Sequence, residues 1–138
     1  MALPSIYNSM LQVAREYIQS NSEYSPYVLP TTPENSKIFP LVIIEQANDP
    51  LHSETLDKKE QKFRMVFEIN IFTQDKTPTD KTVIAEELTE LVNDVFEEQF
   101  GMRRTNNAPI PNIDDSVYRK HLIYRGIYDI EQNKMYDR

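Results

Sequence analysis

The thirteen residues Lys62–Gln74, KFRMVFEINIFTQ, constrain the fold more than any other stretch of this chain. Phe63, Met65, Phe67, Ile69 and Ile71 take one set of alternate positions, and Arg64, Val66, Glu68, Asn70 and Phe72 take the other. Successive side chains of a strand point to opposite faces, so the first set makes a wholly apolar face that has to be buried against another layer. At about 3.3 Å per residue such a strand spans on the order of 40 Å, longer than a compact domain of 138 residues requires. One end is therefore expected to project.

Two helices are expected to supply the covering layer. Over residues 4–20, Leu3, Ile6, Tyr7, Met10, Leu11, Val13, Ala14, Tyr17 and Ile18 fall on one broad arc, opposite Asn8, Ser9, Gln12, Arg15, Glu16 and Gln19. Pro4 suits the first turn, where its missing N–H has no helical partner to lose. A second helix over residues 80–100 starts at a Thr79 or Asp80 cap and ends at Gly101. Its apolar side is Ile84, Ala85, Leu88, Leu91, Val92, Val95 and Phe96. Its other side gathers Glu86, Glu87, Glu90, Asp94, Glu97 and Glu98 with no base among them. Glu86 with Glu90, Glu90 with Asp94, and Asp94 with Glu98 are like charges one turn apart, each unfavourable by about 0.2–0.5 kcal/mol. Such a face either simply meets solvent, or meets bases or repels phosphates.

Leu41, Val42, Ile43 and Ile44 form a short apolar run suited to a strand covered on both faces. The segment before it, 21–40, carries four prolines and reads as a long loop with a short strand near Tyr27–Leu29. Residues 46–61 are polar and aperiodic and read as an arm between strands. Residues 102–105 suggest a short strand, followed by a turn through APIPN and an acidic corner at Asp114 and Asp115. The last long strand separates Val117, Arg119, His121, Ile123, Arg125 and Ile127 from Tyr118, Lys120, Leu122, Tyr124, Gly126 and Tyr128. Its Tyr and Arg content is what interfaces favour, since both residues join a large apolar body to a directional polar tip. The expected fold is thus α+β: one domain over residues 1–138, with a mainly antiparallel sheet of four or five strands packed against two amphipathic helices, plus long loops or arms.

The net charge of −7 hides an asymmetry: residues 1–101 hold 17 acids and 8 bases, and residues 102–138 hold 5 acids and 7 bases. A chain divided in this way can attract a copy of itself, acidic face to basic face. No run of 18 apolar residues exists to cross a bilayer, and the first twenty residues lack the pattern of a secretory signal. The complete lack of cysteine excludes disulfides, thiolate nucleophiles and Cys-based metal sites. With glycine only at 101 and 126, there is no Gly-rich phosphate loop. His52 and His121, the only histidines, lack metal-binding spacing, and no serine lies in a nucleophile elbow. Neither enzymatic activity nor a cofactor is expected. Arg103, Arg104, Arg119 and Arg125 are expected in ion pairs, within the fold or between subunits. The rival reading makes them, with Lys120 and stacking Tyr118 or Tyr124, a nucleic-acid patch, against which the overall acidity argues.

Five segments together carry a family resemblance: PLVIIE at 40–45, FEINIF at 67–72, RRT at 103–105, PIPN at 109–112 and YRKHLIYRGIYD at 118–129. The chain resembles the tail terminator, or tail-completion, proteins of long non-contractile-tailed bacteriophages, also called minor capsid or head-tail joining proteins. The resemblance covers most of the chain in order, and RRT, PIPN and YR…YRG are its most specific pieces. It implies a subunit of a ring, usually of six copies, that caps the tail tube and joins it to the DNA-filled head. The partners implied are the chain itself, the tail tube protein and a head-tail connector protein, with DNA passing through without specific binding and no membrane involved. The place implied is the tail-head junction of a virion made in bacterial cytoplasm. On this reading Arg103, Arg104, Asp114, Asp115, Tyr118, Arg119, Tyr124 and Arg125 are candidate interface or ion-pair residues. The acidic side of the second helix is a candidate lumen or partner face. The alternatives are a connector subunit (adaptor or stopper) and, from another class, an acidic DNA-mimic inhibitor of a host protein; an acid-dependent hydrolase fits the residue inventory least.

Overall fold

In the computed structural model, which describes residues 3–31, 38–47, 55–57, 62–111, 116–129 and 134–136, the alternating segment is a strand with the expected limits. The strands are β1 (Tyr27–Leu29), β2 (Leu41–Gln46), β3 (Thr55–Asp57), β4 (Lys62–Gln74), β5 (Arg103–Ile110), β6 (Val117–Asp129) and β7 (Lys134–Tyr136). The main sheet runs β1-β2-β4-β6-β5, antiparallel except for the parallel β1–β2 pair. At its centre β4 and β6 pair along their entire lengths, from Lys62 opposite Asp129 to Gln74 opposite Val117. The outer edge of β4 is shared by β2 and β3, and that of β6 by β5 and β7. The stretch of β4 beyond β2 is flanked: β3 pairs with Lys62 and Phe63, and Ala47 donates its N–H to the Val66 carbonyl at 2.7 Å.

Helices α1 (Leu3–Asn21) and α2 (Lys81–Asn93) form the second layer. They bury the apolar face of β4, where Met65, Phe67, Ile69 and Ile71 are fully enclosed with Met10, Leu11, Ala14 and Ile18 from α1 and Ile84, Ala85, Leu88 and Val92 from α2. Val13, placed on the apolar arc by its spacing, is 41% exposed, so the buried stripe of α1 is narrower than the arc. A chain of aromatic rings crosses the core. Tyr7 stacks on Phe67 at 6.0 Å, Phe67 meets Phe96 at 5.6 Å, and Phe96 meets Tyr124 at 5.1 Å and Phe100 at 5.2 Å. Such pairs contribute beyond the area they bury, about 0.5–1.5 kcal/mol each.

The helix foreseen over residues 80–100 changes character. Asp80 caps it, its carboxylate accepting from the Thr82 N–H at 2.8 Å, while Asp75 accepts from the Lys81 N–H. After Asn93 the backbone widens into a π-helical stretch, Asp94–Gln99, where the Phe100 N–H reaches the Val95 carbonyl. Gly101 then takes a left-handed φ of 74°, the conformation expected of a closing glycine.

The segment after Gly101 departs from expectation. β5 does not stop near Thr105 but bulges between Arg104 and Asn106 and continues through Ala108, Pro109 and Ile110. Proline is accepted there because β5 is an edge strand of the main sheet, where a missing N–H costs no ladder bond on the open side. Ala108, Pro109 and Ile110 of the turn expected at APIPN are therefore strand, and Asn112, Asp114 and Asp115 lie outside the described residues, as does His52. Of the expected loop 21–40 and arm 46–61, residues 32–37, 48–54 and 58–61 also lie outside them.

Candidate interaction surfaces

Register with β4 decides which way each residue of β6 points. Tyr124 stands opposite Phe67, Leu122 opposite Ile69 and Lys120 opposite Ile71, so the even-numbered residues face the helices. Arg119, His121, Ile123, Arg125 and Ile127 share the other face with Arg64, Val66, Glu68, Asn70 and Phe72 of β4. Among the described residues no helix covers that outer face.

This division corrects the reading of Tyr124 as an interface residue: it is 0% exposed and belongs to the core. Its hydroxyl donates to Asn93 Oδ1 at 3.0 Å, and burial, opposed by Arg104 and reinforced by Glu97, drives its pKa well above the ordinary 10.0. Arg104 completes this network. Its guanidinium donates to Asn93 Oδ1 at 3.3 Å and its backbone N–H to Glu97 Oε1 at 3.2 Å. Tyr118 is half-buried on the helix side, beside Pro109, Ile110 and Arg119 in a cleft of about 370 Å³ at the end of the β5–β6 pair.

Of the two places expected for their ion pairs, within the fold or between subunits, Arg103, Arg104, Arg119 and Arg125 show none within the fold among the described residues. Arg119 donates twice to Asn70 Oδ1, at 3.1 and 3.0 Å, and lies 5.3 Å from the centre of the Phe72 ring, a cation-π contact. Arg103 and Arg125 are exposed and stand directly opposite each other across β5 and β6. Among the described residues a lysine from the rival nucleic-acid patch makes such a pair instead. Lys120, 5% exposed on the helix side, reaches Glu86 Oε1 at 2.5 Å.

The acidic side of α2 accordingly divides. Glu86 is held by Lys120, Asp94 accepts from the Tyr17 hydroxyl at 3.2 Å, and Glu97 binds the backbone of Arg104. Glu90 and Glu98 are exposed, and Glu87 is half-buried. A base therefore does interrupt the face, reaching Glu86 from beneath it.

On the outer face His121 sits between two partners. Its Nε2 lies 3.0 Å from Glu68 Oε1, and its Nδ1 lies 3.2 Å from the Asn106 side-chain nitrogen, which also donates to the His121 carbonyl at 3.3 Å. An amide N–H aimed at Nδ1 makes that atom the acceptor and Nε2 the donor to Glu68, so both ring nitrogens are engaged and the ring's orientation is fixed.

No helix among the described residues is long and apolar enough to cross a membrane. The chain matches no protein-family model, and a search of curated proteins returns no relative for it.

Proposed function

We propose that this chain is a structural virion subunit that closes into a ring, six copies around, on the end of a phage tail tube. It stops tube growth and joins the tail to the DNA-filled head. Its work is capping: seated on the last layer, it removes the template on which another tube subunit would add, and no bond is made or broken. One observation carries the reading. The most specific segments of the tail-terminator resemblance, RRT, the described part of PIPN and YRKHLIYRGIYD, lie on or beside the paired strands β5 and β6, and they put Arg103, Arg119 and Arg125 on the helix-free face of the sheet.

The test is tube assembly with and without the protein, viewed by electron microscopy. Tubes of defined length, each ending in a closed ring, are expected with it and overlong tubes without it; equal length distributions and bare tube ends would refute capping. A ring that binds the head portal but leaves tube length unchanged would favour the connector reading. The exposed Glu90 and Glu98 motivate the DNA-mimic reading, which requires a basic host protein to bind the chain and to lose it when these acids are neutralised.

A further inference from the structure

Arg64, Arg103 and Arg125 are all exposed and occupy one corner of the outer sheet face. Arg103 stands opposite Arg125, Val66 stands opposite Arg125 on its other side, and Arg64 stands opposite Ile127, diagonal to Arg125. Like charges directly across a ladder repel, and their side chains come within reach even on the diagonal. Val66, Ile123 and Ile127 lie half-buried among them, giving an apolar centre with a guanidinium rim. On the opposite side of the same sheet, α2 and the π-helical stretch present exposed Glu90 and Glu98, with half-buried Glu87 and with Val83 56% exposed.

We infer that the arginine corner at Arg103 and Arg125 is a docking surface for the outward acids of the second helix of another copy of this chain. The two surfaces differ and lie on opposite sides of one molecule, so the contact is head-to-tail and repeats from copy to copy, closing where the rotation permits. The inference deepens the ring reading by naming the surfaces that meet. Charge complementarity selects the occupant. A nucleic-acid backbone would also seek arginines, but the next rows of the same face carry Glu68 and, opposite it on β2, Glu45. A continuous track of phosphates crossing the sheet would run onto those carboxylates, whereas a helix with separated acids needs only the corner.

A head-to-tail charge contact has a distinctive test. Arg103→Glu with Arg125→Glu makes both surfaces acidic, and Glu90→Lys with Glu98→Lys makes both basic. The substitutions avoid Glu86, whose loss would strand Lys120. Sedimentation velocity of the full chain should show wild type associating with rising concentration and less so with rising salt. Each double variant alone should associate about tenfold more weakly or worse, because like charges then face each other. Their equimolar mixture should recover association by alternation, since each surface again meets its opposite. Melting curves identify any variant that has failed to fold; for it, the milder pairs Arg103→Gln with Arg125→Gln or Glu90→Gln with Glu98→Gln give the same ordering with smaller losses.

The inference is overturned if wild type stays monomeric, if the variants associate as wild type does, or if the mixture gains nothing. It is also overturned if Arg103→Glu with Arg125→Glu abolishes binding to duplex DNA while leaving self-association intact. Wild type that caps tubes with unaffected variants would reject this contact but keep the ring. Charge-dependent association without any effect on tubes would do the reverse.

Discussion

Lys120 on β6 and Glu86 on α2 tie the sheet to its helix layer through an ion pair with unequal ends: the ammonium is buried, while the carboxylate side chain is 61% exposed. The asymmetry predicts unequal mutants. Removing the acid by Glu86→Ala leaves a buried cation without its counter-charge, at a cost of about 1–3 kcal/mol. Lys120→Met keeps the apolar stem and discards the charge, so it should cost less. Urea unfolding of the two variants gives the comparison, and an order with Lys120→Met the more damaging would contradict it.

Tyr124 offers a test in alkali. Because burial raises its folded pKa above the unfolded value near 10, its contribution is fully present below pH 10 and declines as pH rises from there towards the folded value. Tyr124→Phe gives up the hydrogen bond to Asn93, about 0.5–1.5 kcal/mol at neutral pH, and should flatten the fall in stability above pH 10. Chemical denaturation at a series of alkaline pH values measures both effects; an unchanged alkaline slope would assign the decline to other groups.

The cap at Asp80 predicts the opposite pH sense. Hydrogen bonds from the side chain and backbone of Thr82 lower its pKa from 3.8, so its contribution is present above that value and is lost as pH falls through the lower folded one. Asp80→Ala should melt a few degrees below wild type at neutral pH. The gap should narrow in acid, and a gap independent of pH down to the acid transition would mean that the charge of Asp80 plays no part.

Gly101 is closed to side chains on two counts. Its φ of 74° strains any L-residue, and an added Cβ would lie 3.3 Å from the Met135 carbonyl oxygen of β7. Gly101→Ala should therefore cost about 1–2 kcal/mol, and Gly101→Asn less, because Asn tolerates the left-handed region better. Thermal unfolding separates them, and equal losses would point to the contact with β7 rather than the backbone angle.

Where a single local signal was decisive, the fold was legible. The period of two in Lys62–Gln74, the apolar arcs of both helices, and Gly101 as a terminator all correspond to what the chain forms. What escaped depends on partners distant in sequence. Tyr124 has the composition of an interface residue and became core only because its register places it against Phe67. Pro109 looked like a turn because a proline inside a strand is informative only once the strand is known to be an edge. Lys120 gave no local hint that it reaches back to Glu86, 34 residues earlier. Of the candidate surface residues, Arg103, Arg125, Glu90 and Glu98 do lie exposed, while Asp94, Glu97 and Arg104 are tied into hydrogen bonds of the fold.

Among the described residues, exposed Glu90 and Glu98 lie on the helix side and exposed Arg103 and Arg125 on the far side of the sheet, so the two sides carry local patches of opposite sign. Two such bodies with net charge −7 repel at long range in dilute salt. At physiological ionic strength the screening length is about 8 Å, less than the thickness of a helix layered on a sheet. A neighbour then senses only the face it approaches, which is how the proposed contact would form between molecules that carry like net charge. A ring closed through the proposed contact would leave neither patch at an end, yet every copy would be turned the same way about the axis, so its two openings would differ and could tell one neighbour from another.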